Sequence, residues 1–158
     1  MNRNLTVAMA AALVMSGGAQ AQDVNIGRSS ITLKSDLMTP EALWAMGRIG
    51  AAQASPDGRR IVYQVGYYSV KENKGHQVLR IMDADGTNDR LLTTSAANES
   101  DAAWLDNYTL AFLTGGQLWT MKADGTDRRQ LTRSDIDIEG FRFSPDRRRV
   151  VLIKSIDR

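Results

Sequence analysis

The chain has 158 residues, with twenty basic against eighteen acidic side chains, one histidine and no cysteine. A near-neutral balance without a dominant basic stripe argues against nucleic acid as a partner. The missing cysteines remove disulfides, thiolate nucleophiles and thiolate metal sites together, so packing alone must stabilise the fold.

The first residues have the pattern of an export signal. "MNRN" supplies one positive charge at Arg3, Leu5 to Met15 is an uncharged apolar run, and "SGGAQA" closes on the small-x-small triplet Ala19-Gln20-Ala21. This predicts a signal peptide over 1–21 and a mature chain from Gln22. The apolar run falls short of the roughly 20 residues that span a bilayer, so no membrane contact is expected after cleavage. No cysteine follows the run to carry a lipid. The expected location is the periplasm of a Gram-negative type bacterium, or the medium. Residues 22–36 are polar and irregular and read as a flexible leader.

An N-terminal helix is expected within 37–50, in "LMTPEALWAMGRIG". Thr39 suits the N-cap, Pro40 the first helical position and Glu41 the first turn. Leu43, Met46 and Trp44 would form its apolar stripe, with Gly47 or Gly50 at its end.

From Ala51 onward the hydrophobic period is two. Ile61, Tyr63 and Val65 share one face of "RRIVYQV"; Leu110 and Phe112 share one in "YTLAFLT"; Val150, Leu152 and Lys154 alternate with Val151 and Ile153. Such runs, bounded by Ser-Pro-Asp, Asp-Asn or Gly-Gly, are short strands joined by tight turns, with Pro56 and Pro145 in the turns. "LRIMDADGTNDRLLT" (79–93) repeats as "LWTMKADGTDRRQLT" (118–132), an offset of 39 residues. Each reads as a hairpin, with Gly86 and Gly125 at the positive-φ position. "SPDGRRIVY" aligns with "WLDNYTLAF" at an offset of 49 and then with "SPDRRRVVL" at 40. The longer first offset arises from "VGYYSVKENKGHQ", which replaces the short "LTGGQ" of the next unit. A four-strand unit repeating near 40 residues is the pattern of β-propeller blades. The predicted class is all-β, with about two and a half antiparallel blades over 51–158.

Few residues invite a chemical role. Trp119 reads as blade packing, and Trp104 as a residue suited to burial. Tyr67 and Tyr68 fall in the inserted loop, where they can cap the blade or reach a partner. The single histidine, His76, reads as a solvated residue of the same loop. Arg59-Arg60, Arg128-Arg129 and Arg147-Arg148-Arg149 read as solvated turns. "DIDIE" sets Asp135, Asp137 and Glu139 on alternate positions, a weak calcium pattern and a stronger inter-blade connector. Glu99 and Asp101 precede a strand and can point into a central channel. There is no Gly-x-Ser-x-Gly elbow. No catalytic, cofactor-binding or metal-ligating residue is assigned, and no cofactor is implied.

The paired "SPDG" and "ADGT…LT" sentences resemble the repeats of TolB-type propellers. The stretch "LMTPEALWAMGRIGAAQASPDGRRIVYQVGYYSVKENK" resembles the start of secreted bacterial prolyl-oligopeptidase-family serine peptidases, near the type-five dipeptidyl and acylaminoacyl peptidases. That resemblance implies a propeller covering a C-terminal α/β-hydrolase domain, which carries the Ser, Asp and His triad and meets the peptide substrate. No residue here matches that triad, so the expectation is an N-terminal propeller segment, inactive by itself, of an exported peptidase cleaving short peptides. In the dipeptidyl branch acidic propeller residues hold the substrate amine, but neither Glu99 nor Asp101 sits in a motif that carries the role over. The alternative is a non-enzymatic TolB-like propeller that binds proteins in the periplasm; a glycan-binding propeller is a third. The export signal yields a direct prediction. Mass spectrometry after expression in a Gram-negative host should find an N-terminus at or near Gln22, and intact Met1 in the soluble periplasm would contradict it.

Overall fold

The computed structural model describes residues 26–28, 32 and 37–155. The expected signal peptide and most of the leader lie outside them. The helix α1 (Pro40–Ala45) starts as its sequence dictates. Thr39 is the N-cap, its Oγ1 accepting from the Ala42 N–H at 3.2 Å, and Glu41 lies in the first turn.

Two expectations for this helix are corrected. It spans six residues only, and Arg48–Gly50 already belong to the first strand. The residue that faces the sheet is Ala42, which is buried, while Leu43, Trp44 and Met46 remain exposed. The close approach of the chain to the sheet explains both. A Cβ on Gly47 would fall 2.8 Å from Val65 Cγ1 and 2.9 Å from Tyr67 Cε1, so the chain turns away there through space that only glycine leaves free.

Three antiparallel sheets follow. The first is β1 (Arg48–Ala54), β2 (Arg60–Ser69), β3 (Lys74–Asp83) and β4 (Arg90–Leu91), hydrogen-bonded in chain order. The second is β5 (Glu99–Trp104), β6 (Thr109–Thr114), β7 (Gln117–Lys122) and β8 (Arg129–Gln130), again in chain order. The third pairs β9 (Gly140–Phe143) with β10 (Val150–Ile153). These are two blades of four strands and a sheet of two, as the repeat requires.

The repeated hairpins are built identically. The Asp83 carbonyl accepts from Gly86 N–H and the Asp83 N–H donates to the Thr87 carbonyl, both at 2.9 Å, enclosing a three-residue loop; Lys122, Gly125 and Thr126 do the same at 2.8 Å. Gly86 and Gly125 take φ of 86° and 91°, the left-handed position of this loop type. Asp85 and Asp124 close each loop onto the Thr87 and Thr126 hydroxyls and amides, and those bonds hold both carboxyls below the usual range.

Alternation along the strands decides the packing. Val62, Leu79, Ile81 and Leu92 of the first blade meet Ala102, Trp104, Leu110, Phe112 and Met121 of the second in one buried cluster. On the other face of the second blade, Ala111, Leu113 and Leu118 join Ile138 in a further cluster against Phe141, Phe143 and Leu152. Phe112 is fully buried, worth about 2–3 kcal/mol by its area alone. Most of the inserted segment is strand, and only residues 70–73 form its turn. It zips the β2–β3 hairpin into ten consecutive pairs from Arg60↔Asp83 to Ser69↔Lys74, so Tyr67, Tyr68 and His76 are all strand residues.

The third sheet buries only one face. Leu152 packs inward, whereas Val151 is 67% and Ile153 55% exposed on β10, which pairs only with β9 among the described residues. Such an edge is a template for pairing with another chain. Residues 22–158 should therefore scatter light as oligomers, and Val151→Lys with Ile153→Lys should shift them towards monomer. A stable monomer without the substitutions, or oligomers unaffected by them, would refute this account of the edge.

Candidate functional site

The first strands of the three sheets lie side by side. Their residues line an open cleft of about 620 Å³, with Gln53 from β1, Asp101 and Trp104 from β5, and Phe141, Arg142 and Phe143 from β9. Glu139 and Arg147 stand at its margin. The Trp104 indole N–H donates to the Gln53 carbonyl at 3.1 Å, tying β5 to β1, so the indole is both buried and satisfied. Phe141 and Phe143 meet edge to face with centroids 5.7 Å apart.

Both complete blades bulge at the same point of their first strand, between Ile49 and Ala52 and between Ser100 and Ala103. At the second bulge Asp101 takes φ 52° and lies exposed, turned to the cleft. The cleft thus presents carboxylates and guanidinium groups over an aromatic floor. Among the described residues, no three histidine, aspartate or glutamate side chains cluster in a way that could hold a metal ion.

Glu99 does not join Asp101. Although it starts the same strand, its carboxylate is buried and receives Arg128 Nη1 at 2.6 Å and the Thr93 hydroxyl. The Arg128 guanidinium lies over Phe112 at 4.9 Å and Trp119 at 5.4 Å. An expected channel acid and an expected solvated arginine are instead an ion pair within the second blade, on its face towards the first, because the buried Glu99 charge requires a partner. Arg60 departs from expectation in the same way. Its guanidinium binds the Asn107 carbonyl and lies 5.6 Å from both the Trp104 and Tyr108 rings, while the Asp57 N–H donates to Asn107 Oδ1 at 3.0 Å. These contacts clamp the Ser-Pro-Asp turn of one blade to the matching turn of the next.

The equivalents of Phe112, Trp119 and Arg128 in the first blade are Tyr63, Arg80 and Asp89, at the offsets of 49, 39 and 39 residues. There the apolar pair becomes a polar triad. Arg80 grips Asp89 at 2.7 and 3.1 Å, and the Tyr63 hydroxyl donates to Asp89 at 2.7 Å. Arg80 holds the Asp89 carboxyl below its usual range, while burial, with Asp89 adding to it, pushes the Tyr63 phenol up. The triad lines a second cleft, of about 510 Å³, roofed by Ala42, Ala45 and Met46 of the helix segment. The sequence carried a signal for it in the residues that break the repeat.

The remaining candidates are quickly placed. The Asp135–Glu139 segment is a connector, with Ile138 buried and the Ile138 N–H donating to the Gly116 carbonyl at 2.9 Å. Trp119 packs against the inter-blade core. Tyr68 meets Trp44 at 5.0 Å, which caps the hairpin with the helix. His76 is buried, and the solvated-loop expectation is wrong because the insertion is strand.

No family model matches the chain. It is 35% identical over 130 residues, 79% of its length, to dipeptidyl-peptidase 5 of Porphyromonas endodontalis. It is 36% identical to dipeptidyl-peptidase 5 of Porphyromonas gingivalis in an alignment of 161 positions covering 99% of the chain. The chain spans about a fifth of the length of these relatives, 19% and 22%. Among solved structures, an oligogalacturonate lyase in complex with manganese matches 70% of the chain and 35% of its own, with a TM-score of 0.55 and 16% identity. The acylaminoacyl peptidase of Pyrococcus horikoshii matches 70% of the chain and 17% of its own, with a TM-score of 0.54 and 13% identity. At such identities the structural likeness establishes the propeller-type fold alone.

The buried ion pair is the site's most exacting element. Arg128→Met, which leaves Glu99 buried without its cation, should cost about 3–5 kcal/mol of stability, whereas Arg128→Met with Glu99→Gln should recover most of it. Urea denaturation of the four variants of this cycle checks the pair, and an Arg128→Met cost below 1 kcal/mol would show that water already screens it.

Proposed function

We propose, from the chain's homology to the N-terminal part of dipeptidyl-peptidase 5, that it is the propeller portion of an exported serine peptidase acting on short peptides. The observation that carries this reading is identity of about 35% along nearly the whole chain, including the helix and the extended hairpin as well as the blades. In this reading the protein resides in the periplasm or medium. The bond-breaking serine, with its histidine and aspartate, comes from an α/β-hydrolase domain outside these 158 residues, and acyl transfer proceeds there.

The propeller's own part is binding and admission. A peptide has an ammonium at one end and a carboxylate at the other. Asp101 and Glu139 offer charge for the first, and Arg142 and Arg147 for the second, around the cleft of the inner strands. The aromatic floor of Phe141 and Phe143 suits apolar side chains between them.

The test lies in the reading frame that encodes the chain. It should continue into a Gly-x-Ser-x-Gly elbow followed by aspartate and histidine, and the full product should hydrolyse dipeptidyl chromogenic substrates. Residues 22–158 alone should show no hydrolysis above a blank preparation. A frame without the elbow, or a full-length product silent on such peptides, would end the peptidase reading and leave a binding propeller.

A further inference from the structure

The second blade turns at Gly115-Gly116 directly after Thr114, whereas the first continues for four more pairs, Gly66↔Gln77 to Ser69↔Lys74. At the rise of a strand, those rungs stand about 13 Å beyond the neighbouring turn. Along them Tyr67 lies under Gly47, Tyr68 meets Trp44, and His76 reaches back to Ile26. The tip is an ordered turn. The Tyr68 hydroxyl donates to Asn73 Oδ1 at 2.5 Å and the Glu72 N–H to Ser69 Oγ at 3.2 Å. Asn73 takes φ 47°, and its N–H donates to the Val70 carbonyl at 3.3 Å.

The surface that the tip makes with the helix is apolar and open. Trp44 meets the Arg48 guanidinium at 4.7 Å and the Tyr68 ring at 5.0 Å, yet stays 39% exposed. Val70 at the tip is 63% exposed and Leu43 on the helix 50%. Between helix and tip runs a groove of about 440 Å³, lined by Pro40, Trp44, Ala45, Tyr68 and Val70. Tryptophan, tyrosine and arginine carry much of the binding energy at interfaces, and here the three are fixed against one another beforehand. A blade does not need such a post, since the second packs both of its faces with a bare Gly-Gly turn at the same place.

The topology shows what reaches this end of the blades. β1 begins here, and the connectors from each sheet to the next run here. The Gln77 N–H donates to Asn98 Oδ1 just ahead of β5, and the Ile138 N–H to the Gly116 carbonyl just ahead of β9, both at 2.9 Å. The fourth strand of each blade thus releases its chain at this end, and a last blade of the same strand order does so too. The Ser-Pro-Asp turns and Asp-Gly loops occupy the opposite end. The chain spans only 19% and 22% of its relatives, which therefore have length for further blades and a domain after them. We propose that the face formed by α1 and the tip of the β2–β3 hairpin docks the domain that follows the propeller in the same polypeptide, burying Trp44 and Val70. This rests on the reading of the chain as the propeller portion of a larger peptidase. The first blade is then the one fastened to that domain, and the second, with its two-residue turn, stays clear of it.

Site-specific photo-cross-linking in the full-length product tests the contact. A p-benzoylphenylalanine probe replaces Val70 in one variant and Leu43 in a second. In a third it replaces Arg59, an exposed residue at the opposite end of the same blade. In monomeric product the Val70 and Leu43 probes should link to the domain after the last blade, and the Arg59 probe should not. Hydrolysis of dipeptidyl chromogenic substrates by each variant reports on the peptidase reading separately. An active product whose Val70 and Leu43 probes link only to propeller blades or to a second copy, or yield no more than the Arg59 probe, would overturn the docking surface and leave that reading standing. Links to a following domain in a product silent on those substrates would end the peptidase reading alone. A reading frame that ends without a further domain would overturn both.

Discussion

Everything in this molecule depends on the second blade being apolar on both faces. Along β6, Leu110 and Phe112 point to one neighbour while Ala111 and Leu113 point to the other, and all four are buried. A sheet of this kind cannot face water on either side. It must be sandwiched, and the first and third sheets are what sandwich it. The direction in which the blades stack, and the placing of their first strands around a common cleft, follow from that demand.

Within the sandwich, polar groups are admitted only as closed sets. Glu99 is satisfied by Arg128 of its own blade and by Thr93 from the end of the first, with the guanidinium laid on aromatic rings. Arg60 and Asn107 join two turns in the same way. These sets add direction to a hydrophobic contact that has none, so that neighbouring blades meet in one register. The back face of the first blade meets the helix segment instead of another blade among the described residues, and there the same three positions hold a hydrogen-bonded triad beside an open cleft. The change from Phe, Trp and Arg to Tyr, Arg and Asp thus marks a difference in environment between two faces of otherwise repeated units.

The site and the scaffold are separable. The cleft belongs to the first strands, where bulges and a left-handed aspartate turn side chains away from the sheet. The extended hairpin works at the far end of the blade, where it receives the helix and the segment before it. A fold built by repetition acquires individuality at the places where one repeat differs from the next, and here these are the insertion, the polar triad and the bulged strands.

The sequence by itself determined the local architecture: strand period, the Asp-Gly loops with their positive-φ glycines, the Ser-Pro-Asp turns, the helix start at Thr39 and the count of blades. Those features depend on backbone conformations that a few neighbouring residues dictate. Only the tertiary structure decided which face each strand buries, that Glu99 turns to Arg128 and not to the cleft, that the six-residue helix docks through Ala42, and that His76 lies under Ile26. Each of these joins residues tens of positions apart, and alternation labels two faces without saying what will cover them. The inserted segment shows the limit most plainly. Its polar composition reads as a loop, yet strand pairing satisfies its backbone and the preceding chain covers its side chains, which no window of sequence contains.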